Sequence, residues 1–242
     1  MLDQFSRTEL LIKKEGMDIL KSKNIIIFGI GGVGGYVCEA LARCGISNFT
    51  LVDNDKVSIT NINRQIIATM DTIGMEKVDV MEKRILSINP DCKITKRNCF
   101  YLPENASSFD FSCYDYVVDC VDTVTAKLSI IVEAKNKNIP VISAMGAGNK
   151  MNPEMLEVTD ISKTEVCPLA KVIRYELRKR KINHLKVVYS KEEPIKVTEK
   201  IEDSNKRTTP GSISFVPSVM GLLIASEIVK DLINYKKWER RL

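Results

Sequence analysis

Asn24-Ile25-Ile26-Ile27-Phe28-Gly29-Ile30-Gly31-Gly32-Val33-Gly34-Gly35 reads as a strand that stops at a glycine turn. Ile25 to Phe28 is unbroken apolar chain, the pattern of a strand covered on both faces. Gly29, Gly31 and Gly34 fit G-x-G-x-x-G, with Gly32 and Gly35 added. Such glycines let backbone N–H groups approach a phosphate at the N-terminus of the next helix, expected here to reach about Cys44. Phe49-Thr50-Leu51-Val52 is a second strand and ends at Asp53. A carboxylate at that point accepts hydrogen bonds from ribose hydroxyls. Strand, glycine turn, helix and strand open a doubly wound α/β fold, and up to here NAD and ATP fit equally well.

Upstream, Ser6-Arg7-Thr8-Glu9 matches a capping box and predicts a helix carrying Leu10, Leu11, Met17 and Leu20. Downstream, residues 54–70 form a polar loop, and a helix is expected from about Met75 to Ile88, before Pro90. Strands over Lys93–Arg97, Tyr114–Val121 and Val141–Met145 alternate with a helix over Thr123–Lys137. That alternation predicts a Rossmann-like, mostly parallel sheet with helices on both faces. Beyond residue 150 the pattern changes to a strand at Met155–Ile161, a basic helix at Pro168–Lys181 and a short strand at Leu185–Tyr189. Residues 191–207 hold ten charges in seventeen positions and predict a mobile loop. Ser212–Val216 is a further strand and Met220–Ile233 an apolar helix. The reading is one domain over 1–242: a nucleotide-binding core at 1–150 and a basic C-terminal extension at 151–242 for substrate and dimer contacts.

Ser58-Ile59-Thr60-Asn61-Ile62-Asn63-Arg64-Gln65 follows the ribose carboxylate and separates the two nucleotides. Hydride transfer has no need of an arginine and several amides here, whereas nucleotidyl transfer does. Arg64 can neutralise charge building on phosphates, and Asn61 and Gln65 can donate to phosphate oxygens. Lys77, on the next helix, can deliver a second point charge. Asp122 stands at the C-terminal end of the Tyr114–Val121 strand, the edge where ligands gather in open α/β sheets. Facing a triphosphate, it suits magnesium (Mg2+). Asp119, inside the apolar strand, reads as a buried structural carboxylate.

Composition narrows the setting. The 242 residues are 44% hydrophobic and 28% charged, enough for a sizeable core. Seven cysteines, an odd number with no C-x-x-C pair, argue against a disulfide framework or a four-thiolate zinc site and for a reducing, cytoplasmic compartment. The N-terminal residues do not read as a signal peptide. The uncharged stretch Gly211–Ser226 holds Pro217 and four serines and makes a poor membrane span. Residues 1–120 carry 14 Lys+Arg against 16 Asp+Glu, while residues 121–242 carry 22 against 15. A basic half beside a near-neutral one suggests a polyanionic partner such as RNA, or else a solvated lysine-rich face.

Gly29-Ile30-Gly31-Gly32-Val33-Gly34, then Leu51-Val52-Asp53-Asn54-Asp55, then Thr60-Asn61-Ile62-Asn63-Arg64-Gln65, resemble the signature of the ubiquitin-activating-enzyme-like superfamily, whose members adenylate carboxylates. The resemblance implies that Asp53 binds ribose and that Asp55, in the same motif, belongs to the nucleotide site. It implies that Arg64 and Lys77 contact the phosphates of ATP and that Asp122 serves the metal. It further implies that Arg7 reaches the nucleotide of a partner subunit, and so a homodimer. Phe5–Leu11, Ser143–Lys150, Val166–Ala170 and Leu185–Ser190 are most similar to the tRNA threonylcarbamoyladenosine dehydratases. The implied reaction is adenylation of the carboxylate of threonylcarbamoyladenosine, beside the tRNA anticodon, followed by ring closure with loss of AMP.

On that reading the basic half meets the anticodon loop. One cluster is Lys171, Arg174, Arg178, Lys179, Arg180 and Lys181. A second is Lys236, Lys237, Arg240 and Arg241, beside Tyr235 and Trp238. Phosphate contacts would give salt-sensitive affinity, and aromatics can stack on unpaired bases. Pro168 suits a first helical position, which puts Cys167 at a helix N-terminus, where thiols are activated. Acyl capture, or sulfur traffic with a cysteine desulfurase or sulfur-acceptor partner, would use it. The alternative function is activation of the C-terminal glycine of a ubiquitin-like sulfur carrier. A nicotinamide oxidoreductase would rest on the glycines and Asp53 alone.

Overall fold

The apolar run before the glycine turn forms an interior strand of the sheet. The computed structural model describes residues 2–198 and 210–235. Its seven strands are β1 (Asn24–Phe28), β2 (Asn48–Val52), β3 (Lys93–Arg97), β4 (Tyr116–Asp119), β5 (Val141–Ala144), β6 (Leu156–Asp160) and β7 (Lys186–Ser190). They lie in the order β3-β2-β1-β4-β5-β7-β6. All neighbours run parallel except the edge strand β6, which pairs antiparallel with β7. The two strands beyond residue 150 thus extend the same sheet, and the α/β, mostly parallel class is the one observed.

Alternation within β1 divides the core in two. Ile25 and Ile27 pack with α1 (Ser6–Ser22), α2 (Gly34–Arg43), α3 (Lys77–Ile88) and α6 (Phe215–Leu232), through Leu20, Leu41, Met81 and Ile224. Ile26 and Phe28 face the other layer, with α4 (Val124–Asn136) and α5 (Pro168–Lys179) packing through Ile130 and Ile173. The central strands are covered on both faces, which is why they read as continuous apolar runs and not as alternating ones.

Two local expectations are corrected. Ser6 does not cap α1: its hydroxyl donates to Asp3 Oδ1, which also accepts from the amide of Phe5. The N-cap position falls to Phe5, which has no side-chain acceptor, so the first-turn amides of α1 receive no side-chain cap. Ser212–Val216 is not a strand, because α6 already begins at Phe215. Pro217 falls in the helix's first turn, where the missing N–H has no intrahelical partner to lose. The loop expected at 191–207 shows no helix or strand over 191–198, and the rest lies outside the described residues, as does the basic cluster from Lys236. No described helix is long and apolar enough to cross a membrane.

Candidate active site

Parallel strands deliver their C-terminal ends to one edge, and β1 sits where the order reverses: β2 and β3 lie to one side, β4 and β5 to the other. Crevices form at such switch points. Here the crevice has a volume of about 560 Å³, within the range of small-molecule sites. Its walls come from the segments leaving β1, β2, β3, β4 and β5, and from Pro210–Ser212 and Pro217.

The glycine turn forms the floor. Gly29 has φ of +86°, and a Cβ on it would lie 2.8 Å from the carbonyl oxygen of Cys120. Gly31 and Gly32 line the crevice. Gly34 does not; a Cβ there would sit 1.9 Å from the carbonyl oxygen of Gly29, so this glycine lets α2 seat against the turn. Its contribution to a nucleotide site is thus helix packing, not direct lining.

Asp53 closes the turn from below. Its Oδ2 accepts from the Ile30 amide at 2.6 Å and its Oδ1 from the Asp55 amide at 2.9 Å. Burial pushes the Asp53 carboxyl above the usual range, and Lys77, 4.0 Å away, works against that rise. Lys77 is itself buried and donates to Asp55 Oδ2 at 2.7 Å. Two carboxylates therefore hold the ammonium at the crevice wall.

The polar loop supplies the next group. Arg64 lies across Gly32, its Cγ 3.3 Å from where a Cβ would stand. Its guanidinium donates to the Thr60 carbonyl and to Asn63 Oδ1, each at 2.9 Å. Burial lowers its pKa from the usual value. Gln65 is buried beside Gly31, and its Oε1 has no hydrogen-bond partner. A buried amide oxygen without a partner is costly in an empty pocket and is satisfied by a hydroxyl or water of a bound ligand. Asn61 is also buried; its Oδ1 accepts from the Ser58 amide at 3.2 Å, which fixes the start of the loop.

Asp122 lines the crevice at the end of the segment leaving β4. The lining also includes an apolar and aromatic set, Phe28, Val52, Cys99, Phe100, Tyr101 and Ala126. These aromatics escaped the sequence reading, although Phe100 and Tyr101 lie just past a predicted strand end, the place where a ligand edge is expected. The Pro210–Ser212 wall was also missed, because residues distant in sequence hold it. Asn63 Nδ2 donates to the Ser212 carbonyl at 2.8 Å, and Asn149 Oδ1 accepts from the Gly211 amide at 2.6 Å.

The structure thus brings together Gly29, Gly31, Gly32, Asp53, Asp55, Asn61, Arg64, Gln65, Lys77 and Asp122. Arg7 is exposed on α1 and lies outside this crevice. Cys167 precedes α5 as expected but is buried at 3% exposure and does not line the crevice. Within the basic cluster on α5, Arg174 turns inward and donates to the Thr164 carbonyl at 2.7 Å. Lys179 and Arg180 pair with Glu176, while Lys171, Arg178 and Lys181 are exposed.

The model of the ThiF family matches residues 5–241. The tRNA threonylcarbamoyladenosine dehydratase of Bacillus subtilis is 43% identical over 244 residues, spanning 97% of this chain and 96% of that protein. Two crystal structures of Escherichia coli tRNA N6-threonylcarbamoyladenosine dehydratase are 32% identical to this chain, over 96% of it and 94% of theirs. The complex with AMP gives a TM-score of 0.87 and the complex with ATP 0.86.

Proposed function

This chain belongs to the ThiF family, and from that premise we propose that it catalyses the ATP-dependent dehydration of threonylcarbamoyladenosine in tRNA, by adenylating the substrate carboxylate. Similarity along 97% of the chain to a protein named tRNA threonylcarbamoyladenosine dehydratase supports the reading. So does likeness of fold to a dehydratase crystallised with ATP and with AMP. The observation that carries it is local: Asp53, Arg64, Gln65, Lys77 and Asp122, spread from residue 53 to residue 122, line one crevice at the switch point.

The reaction asks little covalent chemistry of the protein. A carboxylate oxygen of the substrate attacks the α-phosphorus of ATP, and pyrophosphate leaves. The carbamoyl group then attacks the activated carbonyl, a ring closes, and AMP departs with the former carboxylate oxygen. Both reacting groups are on one side chain, so the effective molarity of closure is already high. The protein holds the nucleotide and offsets phosphate charge with donors fixed in advance.

In this proposal the aromatic set lining the crevice takes adenine and Asp53 takes the ribose hydroxyls. Gly31 and Gly32 let the backbone approach the phosphates, and Asn61, Arg64, Gln65 and Lys77 bind them. Asp55 steers Lys77. Magnesium fits as a guest of the nucleotide. It takes most of its ligands from phosphates and water and needs only one or two carboxylates. Asp122 is one, and the described residues hold no cluster of three or more His, Cys, Asp or Glu that could bind a metal. When bound, the ion offsets charge on the phosphates.

Arg7 completes the site of a second subunit in a homodimer. Residues 1–150 hold the nucleotide, and 151–242 carry substrate and dimer contacts. Lys171, Arg178 and Lys181 on and beside α5 meet the anticodon arm, and the protein works in the cytoplasm. Acyl capture or a sulfur-transfer partner acting through Cys167 is disfavoured by that thiol's burial.

The test is nucleoside mass spectrometry after incubation with ATP, magnesium and tRNA bearing the threonylcarbamoyl base. The expected product is lighter by one water. An unchanged nucleoside, together with pyrophosphate exchange driven by a carrier protein ending in Gly-Gly, would move the reading to carrier activation.

A further inference from the structure

Among the described residues, Lys127 and Asp119 are both 0% exposed and paired at 2.7 Å. Neither touches the crevice. A buried ion pair is weak evidence for stability, since desolvation of two charges offsets their attraction. Its place in the fold gives a better reason for it.

Asp119 is the last residue of β4, and Lys127 is in the first turn of α4. Between them lies the segment 120–123, which lines the crevice and includes Asp122. Asp119 Oδ1 accepts from the Val121 amide at 3.3 Å, inside that segment. Asp119 Oδ2 accepts from Lys127 and from the hydroxyl of Ser143, which is also buried. Lys127 donates in addition to Ser143 Oγ at 3.2 Å and to the Ala144 carbonyl at 2.9 Å. Ser143 and Ala144 end β5, just before Ala147 and Gly148 on the crevice wall. Three buried side chains thus tie the end of β4, the start of α4 and the end of β5. Those elements bracket Asp122.

We propose that Lys127, Asp119 and Ser143 are positioning residues that fix the Asp122 segment, and with it the phosphate end of the crevice, for adenylation. The inference rests on the dehydratase reading. Fixing a reacting group within a fraction of an ångström governs turnover more than affinity.

The test measures tRNA-dependent AMP release, under single-turnover and steady-state conditions. It uses Ser143→Ala and Lys127→Met, each in the native and in the Asp122→Asn background, with Tm recorded throughout. Ser143→Ala should lower kcat about 10-fold and leave KM for ATP within about 2-fold, and Lys127→Met should lower kcat about 100-fold. In the Asp122→Asn background neither should lower kcat further, because the group being positioned is already lost. Lys127→Met leaves a buried carboxylate unpaired; if it does not fold, Ser143→Ala, which keeps the ion pair, decides alone. Equal losses in both backgrounds, or a fall in Tm with kcat unchanged, would overturn the inference. Lack of AMP release by the native protein would instead remove the dehydratase reading, and the inference with it.

Discussion

Asp53 combines burial with a proposed task that needs charge. Its carboxyl is pushed above the usual range by burial, with Lys77 opposing. The folded chain therefore holds this proton more tightly than the unfolded chain does. The contribution of Asp53 to stability is largest below its unfolded pKa and is lost as pH rises through the raised folded value. The proposed ribose binding runs the other way, because the ionised form would accept the hydroxyls. ATP affinity measured by calorimetry should therefore weaken as pH falls into the window just above the ordinary Asp range. Asp53→Asn should bind more weakly and lose that dependence; an unchanged profile would remove Asp53 from the ribose. Arg64 is a cleaner case, since it is half-buried and its side-chain bonds are local. Arg64→Ala should cut adenylate formation by about 100-fold or more and shift Tm by only about one or two degrees, readable by pyrophosphate release and calorimetry. Both residues were legible in the sequence because their chemistry is ordered along the chain: glycines, ribose carboxylate, arginine. Lys127 was not. A lysine in a helix reads as solvated, and its burial depends on Asp119 and Ser143 arriving from two other strands.

At the level of elements, the crevice depends on how α6 docks. A Cβ on Gly221 would lie 2.5 Å from the Val33 carbonyl oxygen and 2.8 Å from Tyr36 Cβ. That close approach seats α6 on α2 and brings Pro217 within van der Waals reach of Gly32. Gly221→Val should force the helices apart, cost about 1–3 kcal/mol of stability, and weaken ATP binding although the residue touches no ligand. Denaturant unfolding and calorimetry would check both effects. Stability lost with full ATP affinity would detach α6 from the site. The strands and helices up to residue 145 were readable because each carries its own period and its own stop. Ser212–Val216 was misread because short apolar runs fit strand and helix alike. What settles the segment is its fastening to Asn63 and Asn149, far off in sequence.

Across the whole molecule, two expectations concern partners. If Arg7 serves a second subunit, Arg7→Ala and Arg64→Ala proteins should each be inactive, yet mixing them should restore about a quarter of native turnover, through one intact site in each mixed dimer. No recovery after subunit exchange would place Arg7 elsewhere. Binding to tRNA through Lys171, Arg178 and Lys181 should weaken steeply with salt while ATP binding changes little, and replacing any one of the three should lower the slope of log K against log salt by about one. The charge asymmetry of the two halves made a polyanionic partner legible, but which cations are free to meet it was not. That depends on neighbours such as Glu176, which takes Lys179 and Arg180. The account turns on the crevice at the carboxyl edge of the sheet holding ATP. A crystal of this protein grown with magnesium and a non-hydrolysable ATP analogue tests that claim most directly. The account predicts adenine against Phe100 and Tyr101, ribose on Asp53, and the triphosphate facing Arg64 and Lys77. An empty crevice, or a nucleotide bound with Arg64 and Lys77 out of reach of its phosphates, would contradict it.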